Sequence, residues 1–172
     1  MQTRTTVLIK TELGDIKAEV FQKEAPLTAA NFLRYVDAGL YDGTSFFRVV
    51  TIEESFPNQE VPITVAQCGQ VEKEKLFPPI QHETTEETGL RHLDGALSMA
   101  RMKPGSATSS FSVILGLQPE MDYGGKRQPD GQGFAVFGYV TEGIDIANRI
   151  HSQPREGQRL KPPIRISSIT RI

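Results

Sequence analysis

The sequence predicts a mainly β protein, in which one antiparallel sheet closes into a barrel and two helices pack on it. Three observations carry this. Short apolar, β-branched segments, about seven or eight of them, recur between stretches rich in glycine and proline. They do not alternate with helices as a parallel α/β sheet requires. Only two segments, 26–38 and 142–153, show helical spacing. A single core in 172 residues is well served by closing such a sheet, because closure removes its exposed edges.

Each element has a local reason. Residues 5–21 alternate apolar and polar positions on either side of Leu13-Gly14-Asp15, the pattern of a hairpin with a Gly-Asp turn. Pro26 suits a first helical turn, where its missing N–H is no loss. Ala29, Phe32, Leu33 and Val36 then share one face, and Gly39 stands ready to stop a helix over about 26–38. "SFFRVV" (45–50) reads as a strand. Residues 51–63 are polar and aperiodic, a surface loop. Residues 64–70 form a second short strand, and 71–92 are mostly loop, with Pro78-Pro79 extended. Strands at 95–101 and 110–115 flank the turn "MKPGSATS". Residues 116–133 are dense in glycine and proline, hence a long loop. A strand at 134–140 leads into the second helix, where Ile146 and Ile150 share a face. Residues 154–163 then connect to a closing strand at 164–172. No repeat or compositional break divides the chain, so residues 1–172 are expected to form one domain.

The charge balance excludes some roles. With 19 Lys and Arg against 21 Asp and Glu, the net charge is −2, which predicts a soluble chain with no bulk attraction to nucleic acid or anionic membrane. The one cysteine, Cys68, excludes an internal disulfide and suits a reducing compartment. No apolar run reaches the length of a membrane span, and "MQTRTTVLIK" lacks a secretory apolar region. The expected location is cytoplasmic, or periplasmic or secreted if a leader has been removed.

Several motifs point to little. His82, His92 and His151 form no HxxxH or HExxH pair, and loop or surface histidines are the simpler reading of "HE" at 82–83 with His92. No metal or cofactor is expected. Serines are plentiful at Ser98 and through "GSATSSFS", but none sits in GxSxG and no ordered Ser–Asp–His arrangement stands out. Cys68 reads as a small buried residue, and the glycines of "DYGGKRQPDGQG" do not open a helix to cradle a phosphate. One residue remains unexplained. Arg48 sits in the middle of an apolar strand, and arginine is seldom fully buried unless paired. Either it faces solvent, or it faces a groove shared with Gln67; the pattern alone leaves both open.

The order "FFRVV", "VAQCGQ", "GALSMAR…SATSSFSVILG" and "FAVFGYVTEGIDIANRI" resembles the cyclophilins, the barrel-forming peptidyl-prolyl cis-trans isomerases. The resemblance covers nearly the whole chain. "HETTEETGLRH" and "PEMDYGGKRQPDGQGFAVFG" are similar to a bacterial-type branch with enlarged loops. It implies a closed eight-stranded antiparallel β-barrel capped by two α-helices. It further implies a rotamase acting in protein folding on proline-containing peptides or unfolded clients, as a monomer. By the same resemblance Arg48 matches the catalytic arginine and Gln67 the glutamine that orients it. Val65 stands where a pocket methionine is usual. Ala100 and Arg101 match the segment whose backbone pairs with the bound peptide. Ser110 aligns with a frequent glutamine and Met121 with a pocket leucine, and the resemblance implies an apolar pocket for the proline ring from Val65, Phe111 or its neighbours, Met121 and Phe134. Departures mark the pocket. Ser112 replaces the floor phenylalanine, Thr64 another pocket phenylalanine, and Phe47 and Phe134 two histidines, while Glu120 falls where an aromatic often sits. These changes imply a more polar proline pocket and weak or no binding of cyclosporin. They also leave a second reading, a non-catalytic module that binds proline peptides on the same barrel.

Overall fold

The computed structural model describes residues 4–51 and 61–172; the central part of the expected 51–63 loop lies outside them. Strands β1 (Arg4–Thr11) and β2 (Gly14–Phe21) form the first hairpin. Its turn is Glu12-Leu13 rather than Gly14-Asp15. The Thr11 hydroxyl donates to the Gly14 carbonyl at 2.7 Å and accepts from the Leu13 amide at 3.1 Å, closing the chain two residues earlier. Helix α1 (Pro26–Asp37) starts at the expected proline, and Gly39, at φ 67°, ends it by donating its N–H to the Val36 carbonyl at 3.0 Å. Then follow β3 (Ser45–Val50), β4 (Val65–Cys68), the single turn α2 (Thr85–Thr88), β5 (Ala96–Met99), β6 (Phe111–Ile114), β7 (Val136–Glu142), α3 (Ile144–His151), β8 (Arg155–Glu156) and β9 (Arg159–Arg171).

The strands pair antiparallel in the order β1-β2-β7-β5-β6-β4-β3-β9, and β9 returns to β1. Eight strands thus close a barrel, and β8 folds back on β9 as a short hairpin outside it. No helix among the described residues is long and apolar enough to cross a membrane. Inward positions follow the period of two. Val7 and Ile9 of β1 and Ile16, Ala18 and Val20 of β2 are fully buried. Phe32 of α1 meets Phe111 edge-on at 5.2 Å and Phe137 at 4.9 Å between ring centroids. Each such ring contributes about 1.5–3 kcal/mol when fully buried. Helix α3 packs Ala147 and Ile150 on the barrel. It starts at Ile144 because Glu142 still belongs to β7. Gly143, at φ 92°, makes the turn between them, where a side chain would strike the Asp15 carbonyl.

Two regions expected to be irregular are ordered. In α2, the Thr84 hydroxyl accepts from the Glu87 amide and donates to the Glu87 carboxylate, both at 3.1 Å, and Gly89 closes the turn at φ 78°. Beside it, the Glu83 carboxylate accepts from the amides of Leu27 and Thr28 at 3.2 and 2.7 Å and from the Thr28 hydroxyl at 2.5 Å. Helix α1 has no side-chain cap of its own, so a carboxylate from 55 residues away satisfies its first N–H groups. The closing strand also begins earlier than 164, because Arg155↔Leu160 and Glu156↔Arg159 pair across Gly157-Gln158.

Candidate active site

Strict alternation would put Phe46 and Arg48 of β3 on the same face. Phe46 is fully buried in the core. Yet Phe46 pairs with Cys68 and Arg48 with Gln67, so Phe47 is an extra residue on β3, a bulge. The one-residue slip turns Arg48 out of the barrel, onto the same face as Gln67. Both line a groove of about 650 Å³.

Two glutamines hold the arginine. Arg48 Nη1 donates to Gln67 Oε1 at 3.1 Å, and Arg48 Nε donates to Gln158 Oε1 at 2.9 Å. Nη2 makes no hydrogen bond to any described residue. Gln67 Nε2 donates to the Ser110 hydroxyl at 2.9 Å, and that hydroxyl donates to the Cys68 carbonyl at 3.2 Å. The guanidinium is therefore aimed by a connected set of polar groups. Burial, and after it the positive charge of Arg159, lowers the pKa of Arg48; an arginine still keeps its proton at neutral pH. Gln158 lies in the β8–β9 turn, and its backbone carbonyl also takes the Val49 amide at 2.8 Å. Nothing local in "REGQRL" signals this contact, which is made 110 residues from Arg48.

The other expected residues divide. Phe47, Val65, Ala100, Arg101, Ser110, Ser112, Met121 and Phe134 all line the groove with Arg48 and Gln67. Phe111 does not. It alternates with Ser112 on β6, points into the barrel and packs on Phe32, Tyr41 and Phe137. Thr64 is not in the lining either; Ile63 lines the groove instead. Glu120 stands outside the groove, its carbonyl accepting from the Arg127 amide at 3.0 Å. The Arg101 guanidinium grips Asp130 through two bonds of 2.8 and 3.0 Å and reaches the Gly133 carbonyl, which ties down the glycine-rich loop. That grip holds the Asp130 carboxyl below its usual pKa.

The structure also joins residues that the sequence left apart. His92 lies in a loop, as expected, but not at the surface: it is fully buried. Its Nδ1 lies 2.7 Å from Asp122 Oδ1, and its Nε2 lies 2.8 Å from the Ser98 hydroxyl. A Ser–His–Asp arrangement is present after all. It was hidden because its members come from a loop, a strand and a second loop, and Ser98 is buried at 1% exposure rather than raised on an exposed turn. His82 turns to the Gln132 carbonyl and Glu83 caps α1, so "HE" and His92 do not converge. No group of three metal-ligating side chains forms among the described residues. Cys68 is buried, and desolvation pushes its thiol pKa well up, which agrees with an inert core thiol.

Comparison with known proteins bears on this site. The family model described as cyclophilin type peptidyl-prolyl cis-trans isomerase matches residues 6–171. The chain is 35% identical over 153 residues to peptidyl-prolyl cis-trans isomerase A of Dickeya dadantii, covering 86% of this chain and 72% of that one. It is 37% identical over 147 residues to peptidyl-prolyl cis-trans isomerase cyp18 of Streptomyces antibioticus, covering 85% and 82%. Its fold matches a solved cyclophilin of Cryptosporidium parvum with a TM-score of 0.76 at 21% identity, over 98% of both chains. With the closed barrel in place and the match running from the first hairpin to the last strand, the chain belongs to the family of cyclophilin-type peptidyl-prolyl cis-trans isomerases.

Proposed function

We propose that Arg48 lowers the barrier to X–Pro rotation by donating from Nη2 to the prolyl nitrogen as the amide twists. The barrier is amide resonance, about 18–20 kcal/mol. In the planar amide the nitrogen lone pair is delocalised and accepts poorly. In the twisted state it is released, so a fixed cation beside it binds that state better than the ground state. The observation that supports this reading is the two-sided hold on Arg48, which leaves one face of its guanidinium to the groove. Arginine suits the role because its fork is rigid and stays charged.

The substrate is a proline-containing peptide or unfolded client. The solved cyclophilin of Cryptosporidium parvum was also studied in the presence of the dipeptide Ala-Pro. The Ala100 amide already donates to the Ser110 carbonyl at 3.0 Å, so peptide pairing on this segment is left to the Ala100 carbonyl and the backbone of Arg101. Val65, Ile63, Met121 and Phe134 supply the apolar walls, and Ser112 replaces an aromatic on the floor. The loss of that ring supports weak or no binding of cyclosporin, expected as a dissociation constant far weaker than that of a cyclophilin with an aromatic floor, measured by calorimetry. Ser112 also favours the second reading, a binder without catalysis. Two-dimensional NMR exchange on an Ala-Pro tetrapeptide separates the two. The isomerase reading requires acceleration by the wild type and a loss of about 100-fold or more in Arg48→Ala, in line with removal of a preorganised donor. Equal rates for wild type, Arg48→Ala and buffer would leave only the binder.

A further inference from the structure

The floor of the proline pocket is built from two hydroxyls, and their surroundings give each a role. Ser98 and Ser112 are direct cross-strand partners on β5 and β6, and both line the groove. They are 1% and 8% exposed. Ser98 lies 2.8 Å from His92 Nε2, while His92 Nδ1 faces Asp122 Oδ1 at 2.7 Å and the His92 backbone amide donates to the same oxygen at 2.9 Å. Burial lowers the pKa of His92, against the opposing pull of Asp122. The ring is therefore neutral near pH 7, with its proton on Nδ1 toward Asp122. Nε2 must then accept, and the proton of Ser98 is committed to it. What Ser98 offers the groove is an acceptor. Ser112 is different. Its hydroxyl makes no hydrogen bond to any described residue although the residue is more than nine-tenths buried, so it can donate as well as accept.

An unsubstituted prolyl ring brings only C–H groups to this floor. It would desolvate the Ser112 hydroxyl without giving it a partner, which is unfavourable, while Ser98 keeps its bond to His92. A ring that carries a hydroxyl matches the pair: its O–H donates to Ser98, and its oxygen accepts from Ser112. The smaller side chain at 112 also leaves room for the added atom, and the walls from Val65, Met121 and Phe134 still take the ring carbons. We infer that this pocket is a subsite for hydroxylated prolyl rings, so that peptides containing 4-hydroxyproline are substrates in preference to their proline counterparts. This inference rests on the isomerase reading for catalysis, but not for binding.

Rates by NMR exchange and dissociation constants by NMR titration test it. The probes are matched tetrapeptides with proline, (4R)-hydroxyproline or (4R)-fluoroproline. Fluorine withdraws electrons as the hydroxyl does but cannot donate a hydrogen bond, so the hydroxy-to-fluoro ratio isolates the contact with the floor. In the wild type that ratio is expected to favour the hydroxyl in both rate and binding. Ser112→Ala, nearly isosteric, is expected to lower it by roughly threefold to tenfold, the share of one neutral hydrogen bond. Ser112→Phe is expected to lower it further by closing the space, and circular dichroism shows whether either variant is folded. Should no peptide be accelerated while the hydroxyprolyl peptide still binds more tightly than the fluoro one, the isomerase reading falls and the subsite stands. Equal ratios in wild type and Ser112→Ala overturn the subsite, since water would then fill the floor.

Discussion

Replacing Gln158 by leucine tests whether the aim of Arg48, beyond its presence, sets the rate. Leucine keeps the size of the side chain and removes the acceptor that holds Arg48 Nε at 2.9 Å. The β8–β9 turn should stay docked, because the Val49 amide bonds to the backbone carbonyl of Gln158 and not to its side chain. The side-chain amide nitrogen of Gln158 is buried without a partner among the described residues, so its removal loses no hydrogen bond there. A hydrogen bond from a charged donor is worth about 1.5–3 kcal/mol. Gln67 still holds Nη1 at 3.1 Å, so only part of this reaches the transition state. A fall of about tenfold in kcat, or about 1.4 kcal/mol, is expected with KM little changed. The assay is NMR exchange on an Ala-Pro peptide, run as a double-mutant cycle with Arg48→Ala. In the Arg48→Ala background, Gln158→Leu should do nothing further, since a positioning residue acts only through the group it positions. A wild-type rate for Gln158→Leu, or an equal loss in both backgrounds, would mean that Gln158 does not act through Arg48.

Two further outcomes follow from buried polar groups. Glu83→Gln keeps shape but removes the charge that receives three donors at the start of α1, and about 2 kcal/mol or more of stability should go with it, read by denaturant unfolding. Chemical denaturation across pH tests His92. Its folded pKa is lowered, so the unfolded chain binds the proton first, and its share of stability is complete above about pH 6.5 and lost as pH falls toward the folded value. Asp122 and Ser98 are the groups that face the ring. A His92→Gln variant should show a flatter loss below about pH 6.5 than the wild type; equal slopes would show that this histidine does not titrate between the two states.

Much of the chain is legible locally. Pro26 and Gly39 mark both ends of α1, and 45–50 is a strand at its expected bounds, because caps and apolar runs are properties of near neighbours. "TTEETG" holds a capping box and a terminal glycine as well. A single turn is too short for helical periodicity to show, so α2 looks like loop. Phe111 and Ser112 could not be assigned to faces from sequence alone, since period two fixes that they differ but not which of them points inward.

Local patterning sets the element order, the barrel that short antiparallel strands close to hide their edges, and the presence of an arginine within an apolar strand. Tertiary structure decided where that arginine points. A bulge at Phe47 turns it away from the core, a turn 110 residues on brings Gln158 to its Nε, and strand pairing sets Ser112 beside Ser98 in front of His92 and Asp122. Each of these depends on register and on contacts between distant segments, which exist only once the sheet has closed.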